Sequence, residues 1–453
     1  MRRVVKVSRI RIIITIIVVV LTTLLTGCTG KEPNEIAYVV ALGIDSTDDD
    51  NYKITIQYAN TTQISGGASE SGGKAGSEIV DNVTIEAPNI YAGVGLANNI
   101  VSKSFSMSHA KLIVFSKEVA EKGVKDMIET LVRSEEIRPD VFIAVANTTA
   151  NDYLTSVNPE MEVNPAQYYQ LIYQKNQLVG IPDGQLREFF TGLYTDNYDS
   201  ILPIAGVIEG SGGNSQNDDK GQSKDSQNEG SEGSSESLDS FESKNSDENE
   251  KEKDAEKNTS KYEYDIKNYV GGETAIEKKN KAEAIGAAVF EKDKMVGELG
   301  EVETEICKML KGDYTYSYLT YYNNDTPDIP ITVKTTQQKK PKYKIDTDKK
   351  TVDIELYIES DLYSLPADYN VENKIEDFER DVANYTSSAC TEFINNFTKK
   401  YNSDILKLNE KVKYKFLTNN QYNWFKKNVG WSEYKFSVCT NFKVRRTGLI
   451  VRK

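Results

Sequence analysis

The 51 residues from Gly210 to Ser260 carry only three apolar side chains, Leu238, Phe241 and Ala255. A segment so composed cannot bury enough surface to offset the entropy of ordering its own backbone. It holds 14 Asp and Glu against 6 Lys, and its net charge of -8 is more than half of the -14 carried by the whole 453-residue chain. The flanking parts are therefore nearly balanced in charge, and the low apolar content of the chain, 38%, is localised here. We read 210–262 as a disordered, self-repelling acidic linker or insertion, so that any fold has to be built from what stands on either side. This division predicts an N-terminal α+β region over 28–209, made of two subdomains, and a C-terminal α+β domain over 263–453.

Hydrophobic periodicity supplies the elements. Before the acidic segment, 36–44 and 52–58 read as strands, the second with Ile54, Ile56 and Tyr58 on one face, joined through the Asp48-Asp49-Asp50-Asn51 turn. A strand at 79–86 follows, then a helical stretch from Pro88 to about residue 103 and a strand at 109–115. The run 117–134 places Ala120, Val124, Met127, Ile128 and Leu131 on one side of a helix; 141–146 is a buried strand, and Pro165 opens a tyrosine-rich helix ending near Gly180. After the segment, 284–290 and 294–298 form a hairpin turned at Lys292-Asp293, leading to a short helix at 302–310 and strands at 314–322, 329–336 and 352–359. From Val371 the apolar positions Ile375, Phe378, Val382, Tyr385, Ala389, Phe393, Phe397 and Tyr401 step by three or four residues. That is one long helix near the C-terminus with one apolar face, which has to pack on a sheet that includes 434–444. The expected class is α+β, with several domains of mixed sheets and packed helices.

The N-terminus reads as an export signal. Arg2, Arg3, Lys6, Arg9 and Arg11 precede an apolar run from Ile12 to Leu25 interrupted only by threonines. Fourteen helical residues rise about 21 Å, short of a hydrocarbon core of roughly 30 Å, so a permanent span is the weaker reading. The run closes on Leu25-Thr26-Gly27-Cys28, which resembles a bacterial lipobox. Residues 1–27 are then a lipoprotein signal peptide and Cys28 carries diacylglycerol. Two acyl chains make a stable anchor, and the acidic charge of the body is repelled by anionic headgroups and by nucleic acid alike.

A search for chemistry finds little. The chain has a single histidine, His109, with no nucleophile motif beside it, and we read it as structural. No two of His109, Cys307, Cys390 and Cys439 lie at zinc-ligand spacing, and Asp45 to Asp50 lacks the Gly and terminal Glu of a calcium loop. No cofactor, metal or catalytic residue is assigned. The three cysteines read as free thiols, and Lys443, Arg445 and Arg446 as charges protecting an edge strand. Arg133, Glu136 and Arg138 read as intramolecular pairs.

Three stretches carry a resemblance to a known family: Glu32-Pro33-Asn34-Glu35-Ile36-Ala37-Tyr38-Val39-Val40-Ala41-Leu42-Gly43-Ile44-Asp45; Lys103-Ser104-Phe105-Ser106-Met107-Ser108-His109-Ala110-Lys111-Leu112-Ile113-Val114-Phe115 with its continuation through Arg138; and Ile285-Gly286-Ala287-Ala288-Val289-Phe290 with Met295-Val296-Gly297-Glu298-Leu299. Together they resemble the Ger(x)C lipoproteins, the C subunits of spore germinant receptors. Thr29 stands where that family usually has a tryptophan. The resemblance implies three α+β domains, two of them before the acidic segment. It implies a non-enzymatic, lipid-anchored subunit on the outer face of the spore inner membrane, working with two polytopic membrane subunits in a complex that answers nutrients and triggers germination. A solute-binding lipoprotein of a transporter is the alternative, and it requires two doubly wound lobes.

Overall fold

Strands buried on both faces read as unbroken apolar runs, and several such runs lie side by side here. The computed structural model describes residues 13–17, 35–49, 51–59, 80–158, 165–174, 180–195, 197–208, 268–274, 280–322, 330–364 and 374–447. Residues 13–17 are helical; Cys28, Thr29 and the acidic segment 210–262 lie outside the described residues. The first strands are β1 (Ile36–Ser46), β2 (Tyr52–Ala59), β3 (Val80–Ala87), β4 (Ser104–Ser106), β5 (Leu112–Ser116), β6 (Phe142–Ala146), β7 (Ile201–Val207), β8 (Ala282–Glu291) and β9 (Lys294–Leu299). They form one nine-stranded sheet in the order β3-β2-β1-β5-β6-β7-β8-β9, with β4 beside the start of β1. Its centre, β1-β5-β6-β7, is parallel, and an antiparallel pair flanks each side.

The helices α1 (Ile90–Ala97), α2 (Lys117–Lys122), α3 (Lys125–Arg133), α4 (Ala150–Ser156), α5 (Pro165–Gln174) and α6 (Leu186–Thr195) cover this sheet. Leu42, Ile44, Ile113, Phe115, Ile143 and Val145 turn to one core, shared with α1, α2, α3 and α6. Leu112, Val114, Ala144 and Ala146 turn to the other, shared with Tyr153 of α4 and Tyr169 and Tyr173 of α5. The parallel centre is thus sealed on both faces, which is why its strands carry no polar alternation.

The single helix expected over 117–134 is two. Gly123 interrupts it at φ 122°, and a Cβ there would come within 2.6 Å of an Asp293 carboxylate oxygen. Val124 instead donates its N–H to the Asp293 carbonyl at 3.0 Å. The helical stretch after Pro88 is also shorter than expected, and His109 lies in the turn before β5 rather than in it.

The hairpin β8–β9 follows the acidic segment in sequence but belongs to the larger sheet, since β8 pairs with β7 from Ile201–Val289 to Val207–Ala282. The region 263–453, expected as a domain of its own, therefore contributes two strands to the sheet of the preceding region. The remaining elements are α7 (Glu301–Lys311), β10 (Tyr316–Tyr322), β11 (Pro330–Gln337), β12 (Lys342–Asp346), β13 (Thr351–Ser364), α8 (Ile375–Tyr401), α9 (Leu408–Val412), α10 (Asn419–Asn428) and β14 (Lys435–Arg446). Their five-stranded sheet runs β10-β11-β13-β12, with β14 parallel to β13. Helix α8 lies on it through Phe393, Ile394 and Phe397, in one core with Ile354 and Leu356 of β13 and with Ile201, Ala287 and Val289 of the larger sheet.

A polar stripe on α8 completes β14. The edge N–H groups of Phe436, Val438, Thr440 and Val444 donate to Asn395 Oδ1 (3.1 Å), Thr391 Oγ1 (3.0 Å), Ser387 Oγ (2.9 Å) and Glu379 Oε1 (2.9 Å). These acceptors recur at multiples of four residues, so one helix face supplies what a further strand would. The edge is closed by this stripe; Lys443 and Arg445 instead pair with Glu379 and Glu359. Replacing Thr391 with Val removes an acceptor from a strand N–H. We expect a loss of about 1 to 3 kcal/mol in chemical denaturation and a rise in concentration-dependent association measured by light scattering.

Candidate functional site

The Gly43-Ile44-Asp45 signature is a seat for a helix. Asp45, buried at the end of β1, accepts the N–H groups of Ala150 (2.6 Å) and Asn151 (3.1 Å), two of the donors that an isolated helix leaves unpaired at its start. Burial raises the pKa of this carboxyl, and the two N–H donors oppose the rise. A Cβ on Gly43 would stand 3.0 Å from Leu154 Cδ1 and 3.1 Å from Ala150 Cβ, so glycine lets α4 lie against the strand.

The second signature is also a packing device. Phe105 meets the ring of Tyr58 edge-on at 5.2 Å, and Glu136 accepts the Met107 N–H at 2.7 Å, tying the turn before β5 to the segment after α3. His109 is exposed; its Nδ1 lies 3.0 Å from Ser108 Oγ, and its ring stands edge-on to Tyr38 at 4.8 Å. No carboxylate hydrogen-bonds that ring among the described residues, so serine and imidazole lack the third group that would orient them. Arg133 pairs with Glu129 at 3.4 Å and Arg138 with Asp140 at 3.0 Å, each on its own stretch of surface. Among the described residues no three His, Cys, Asp or Glu side chains converge on a metal position. Cys307, Cys390 and Cys439 are free; burial pushes the first two thiols up to about 11 and about 12, while Cys439 is exposed.

The most unusual electrostatics lie at the seam between the larger sheet and the C-terminal helices, in residues not singled out above. Asp404 accepts the N–H groups of Leu408 (2.7 Å) and Asn409 (2.8 Å) at the start of α9, and its own N–H donates to Asp199 Oδ2 at 2.9 Å. The Asp404 carbonyl accepts the Asp199 N–H at 3.1 Å in return. Burial pushes the Asp404 carboxyl up to about 7; the two backbone donors and Lys411 act against that, and the neighbouring Asp199 adds to it. Lys407 reaches across to Glu188 and stacks over Tyr198 at 4.2 Å. Buried Lys308 donates to the Ile181 carbonyl at 3.0 Å, and burial lowers its pKa to about 8. Beside the Asp199–Asp404 clasp opens a cleft of about 550 Å³, lined by Tyr198, Lys292, Asn423 and Lys427 among others. The clasp joins residues 205 positions apart, a pairing that no local pattern announces.

Two family models match the chain: "Spore germination protein N-terminal domain" over residues 30–207 and "Spore germination B3/GerAC like, C-terminal" over residues 285–448. The chain belongs to the Ger(x)C family of spore germination proteins. Among similar curated proteins are "Spore germination protein KC" of Bacillus subtilis (strain 168), 26% identical over 174 residues, and "Putative spore germination protein YfkR" of the same strain, 28% identical over 145 residues. The first match covers 35% of this chain and 42% of the relative, the second 32% and 37%, so the chain spans less than half the length of the curated relatives it matches. A similar solved structure is the "Crystal Structure of the GerBC protein", with a TM-score of 0.48 and 15% identity over 89% of this chain and 96% of that one. The family boundary at residue 285 falls inside β8, so the C-terminal model begins within a strand that completes the N-terminal region's sheet.

Two outcomes follow from the buried carboxylates. Asp45→Ala leaves two N–H groups of α4 without their acceptor, and we expect about 2 kcal/mol of destabilisation by urea titration. Asp404 carries a folded pKa of about 7 against an ordinary 3.8. Its contribution is therefore complete below about pH 4 and is lost as pH rises through 7. Stability measured at pH 5 should exceed that at pH 8, and Asp404→Asn should shrink this difference by up to roughly 3 kcal/mol. An unchanged difference refutes the assignment.

Proposed function

We propose that the chain is a non-enzymatic, lipid-anchored subunit of a nutrient germinant receptor, held at the outer face of the spore inner membrane by diacylglycerol on Cys28 and working with two polytopic membrane subunits. The observation that carries the reading is the match of both Ger(x)C family models, one on each side of the acidic segment. The Leu25-Thr26-Gly27-Cys28 box behind a basic and apolar leader supports the anchor. The side chains with unusual surroundings support a protein that acts by contact: Asp45, Glu136 and Asp404 each spend their carboxylate on backbone N–H groups of their own fold. The alternative of a transporter's solute-binding lipoprotein is disfavoured by the second sheet, where β10, β11, β12 and β13 pair antiparallel rather than forming a doubly wound lobe.

The test compares spores carrying Cys28→Ala with the parent, following membrane fractionation and the germination response to single nutrients. We expect the variant to leave the membrane fraction and the response to fall. A response that survives deletion of the whole chain overturns the receptor role, and a parent chain that takes up no labelled fatty acid overturns acylation of Cys28.

A further inference from the structure

Residues 408–428 contradict the electrostatics of the chain around them. They carry Lys411, Lys413, Lys415, Lys426 and Lys427 against the single acid Glu410, a local charge of +4 within a chain of -14. The same stretch holds the most exposed large apolar side chains among the described residues: Leu417 at 94% and Tyr414 at 79%, with Trp424 at 69%. These are not the loose ends of a frayed segment. Val412 and Tyr422 are buried, and Phe416 packs on Tyr422 at 5.9 Å and on Phe425 at 4.9 Å, with Phe425 in turn on Trp431 at 6.2 Å. Thr418 caps α10 by accepting the Gln421 N–H at 3.3 Å. An aromatic underlayer thus fixes the backbone while Tyr414, Leu417 and Trp424 point away from it.

From this arrangement we infer that residues 408–428 are a second membrane contact, docking Tyr414, Leu417 and Trp424 at the headgroup level of an anionic lipid surface while the exposed Lys413 and Lys427 meet lipid phosphates; Lys411, Lys415 and Lys426 are held by the carbonyls of Leu406, Ile345 and Thr195. Tryptophan and tyrosine favour that boundary because each joins a large apolar body to a polar tip, and lysine reaches outward to phosphate while its stem stays among the apolar groups. A protein partner fits less well, because lysine is depleted where protein surfaces are buried together, whereas here it alternates with the exposed apolar residues. The inference rests on the proposed function only for which membrane is met.

The chain supplies its own probe. Its two tryptophans differ in the property that matters, Trp424 being exposed and Trp431 buried at 2%. The experiment uses the mature chain from residue 28 carrying Cys28→Ala, so that neither the basic apolar leader nor acylation plays a part, with vesicles of phosphatidylglycerol or phosphatidylcholine containing brominated acyl chains. The signal of Trp424 is the difference between this chain and one that also carries Trp424→Phe. We expect its emission to shift to the blue and to be quenched on phosphatidylglycerol alone. Lys413→Gln and Lys427→Gln change exposed side chains, and each should lower the docked-to-undocked ratio about fivefold. Unquenched Trp424 on vesicles that have bound the chain overturns the inference, as does an equal response on phosphatidylcholine. A response confined to native membranes and absent from protein-free vesicles also overturns it, in favour of a protein partner. None of these results bears on acylation of Cys28, which uptake of labelled fatty acid by the parent and not by Cys28→Ala decides separately.

Discussion

The antiparallel pairing of β7 with β8 makes one body of two regions that lie apart in sequence. β7 is the last element before the acidic segment and β8 is the first strand after it, and their hydrogen bonds carry the larger sheet across a stretch of more than fifty residues. The energetic consequence is a shared core. Ile201 of β7, Ala287 and Val289 of β8 and Leu299 of β9 present one face to the same cluster that holds Ile354, Cys390, Phe393 and Trp431. Without β8 in the sheet, the smaller sheet and α8 would lose part of the surface on which they pack. Loop closure keeps the cost of so long an intervening stretch small, because the entropic cost of joining two paired strands rises only slowly with the length between them.

What the sequence disclosed follows from the kind of interaction involved. β1, β5 and β6 are legible because burial on both faces writes an unbroken apolar run, and α8 because one buried face writes a stripe through Phe378, Val382, Phe393 and Phe397. β7 is not, because Pro203 and Gly206 break the pattern; the ladder tolerates Pro203 through an irregularity between Pro203 and Ala205. The polar stripe of Glu379, Ser387, Thr391 and Asn395 was equally silent, since from sequence a hydrophilic helix face reads as a solvated one. The same blindness applies to the sites. Gly43 and Asp45 were visible as a signature, but that they seat α4 required Ala150 and Asn151, more than a hundred positions away, to be placed beside them.

Charge in this chain is segregated, and under the proposed anchoring that segregation sets an orientation. Only seven residues separate Cys28 from the start of β1, a reach of at most about 28 Å when fully extended. A body tethered so closely experiences a high effective concentration of membrane surface, and even a weak contact is then populated. Within the roughly 8 Å over which physiological salt leaves charges unscreened, an anionic surface attracts the +4 of 408–428 and repels the -8 of 210–260. The attraction turns the lysine-rich helices toward the bilayer. A lipid chain alone leaves the body free to rotate about its tether; a second, charged contact fixes which face remains open to the membrane-embedded subunits of the proposed complex.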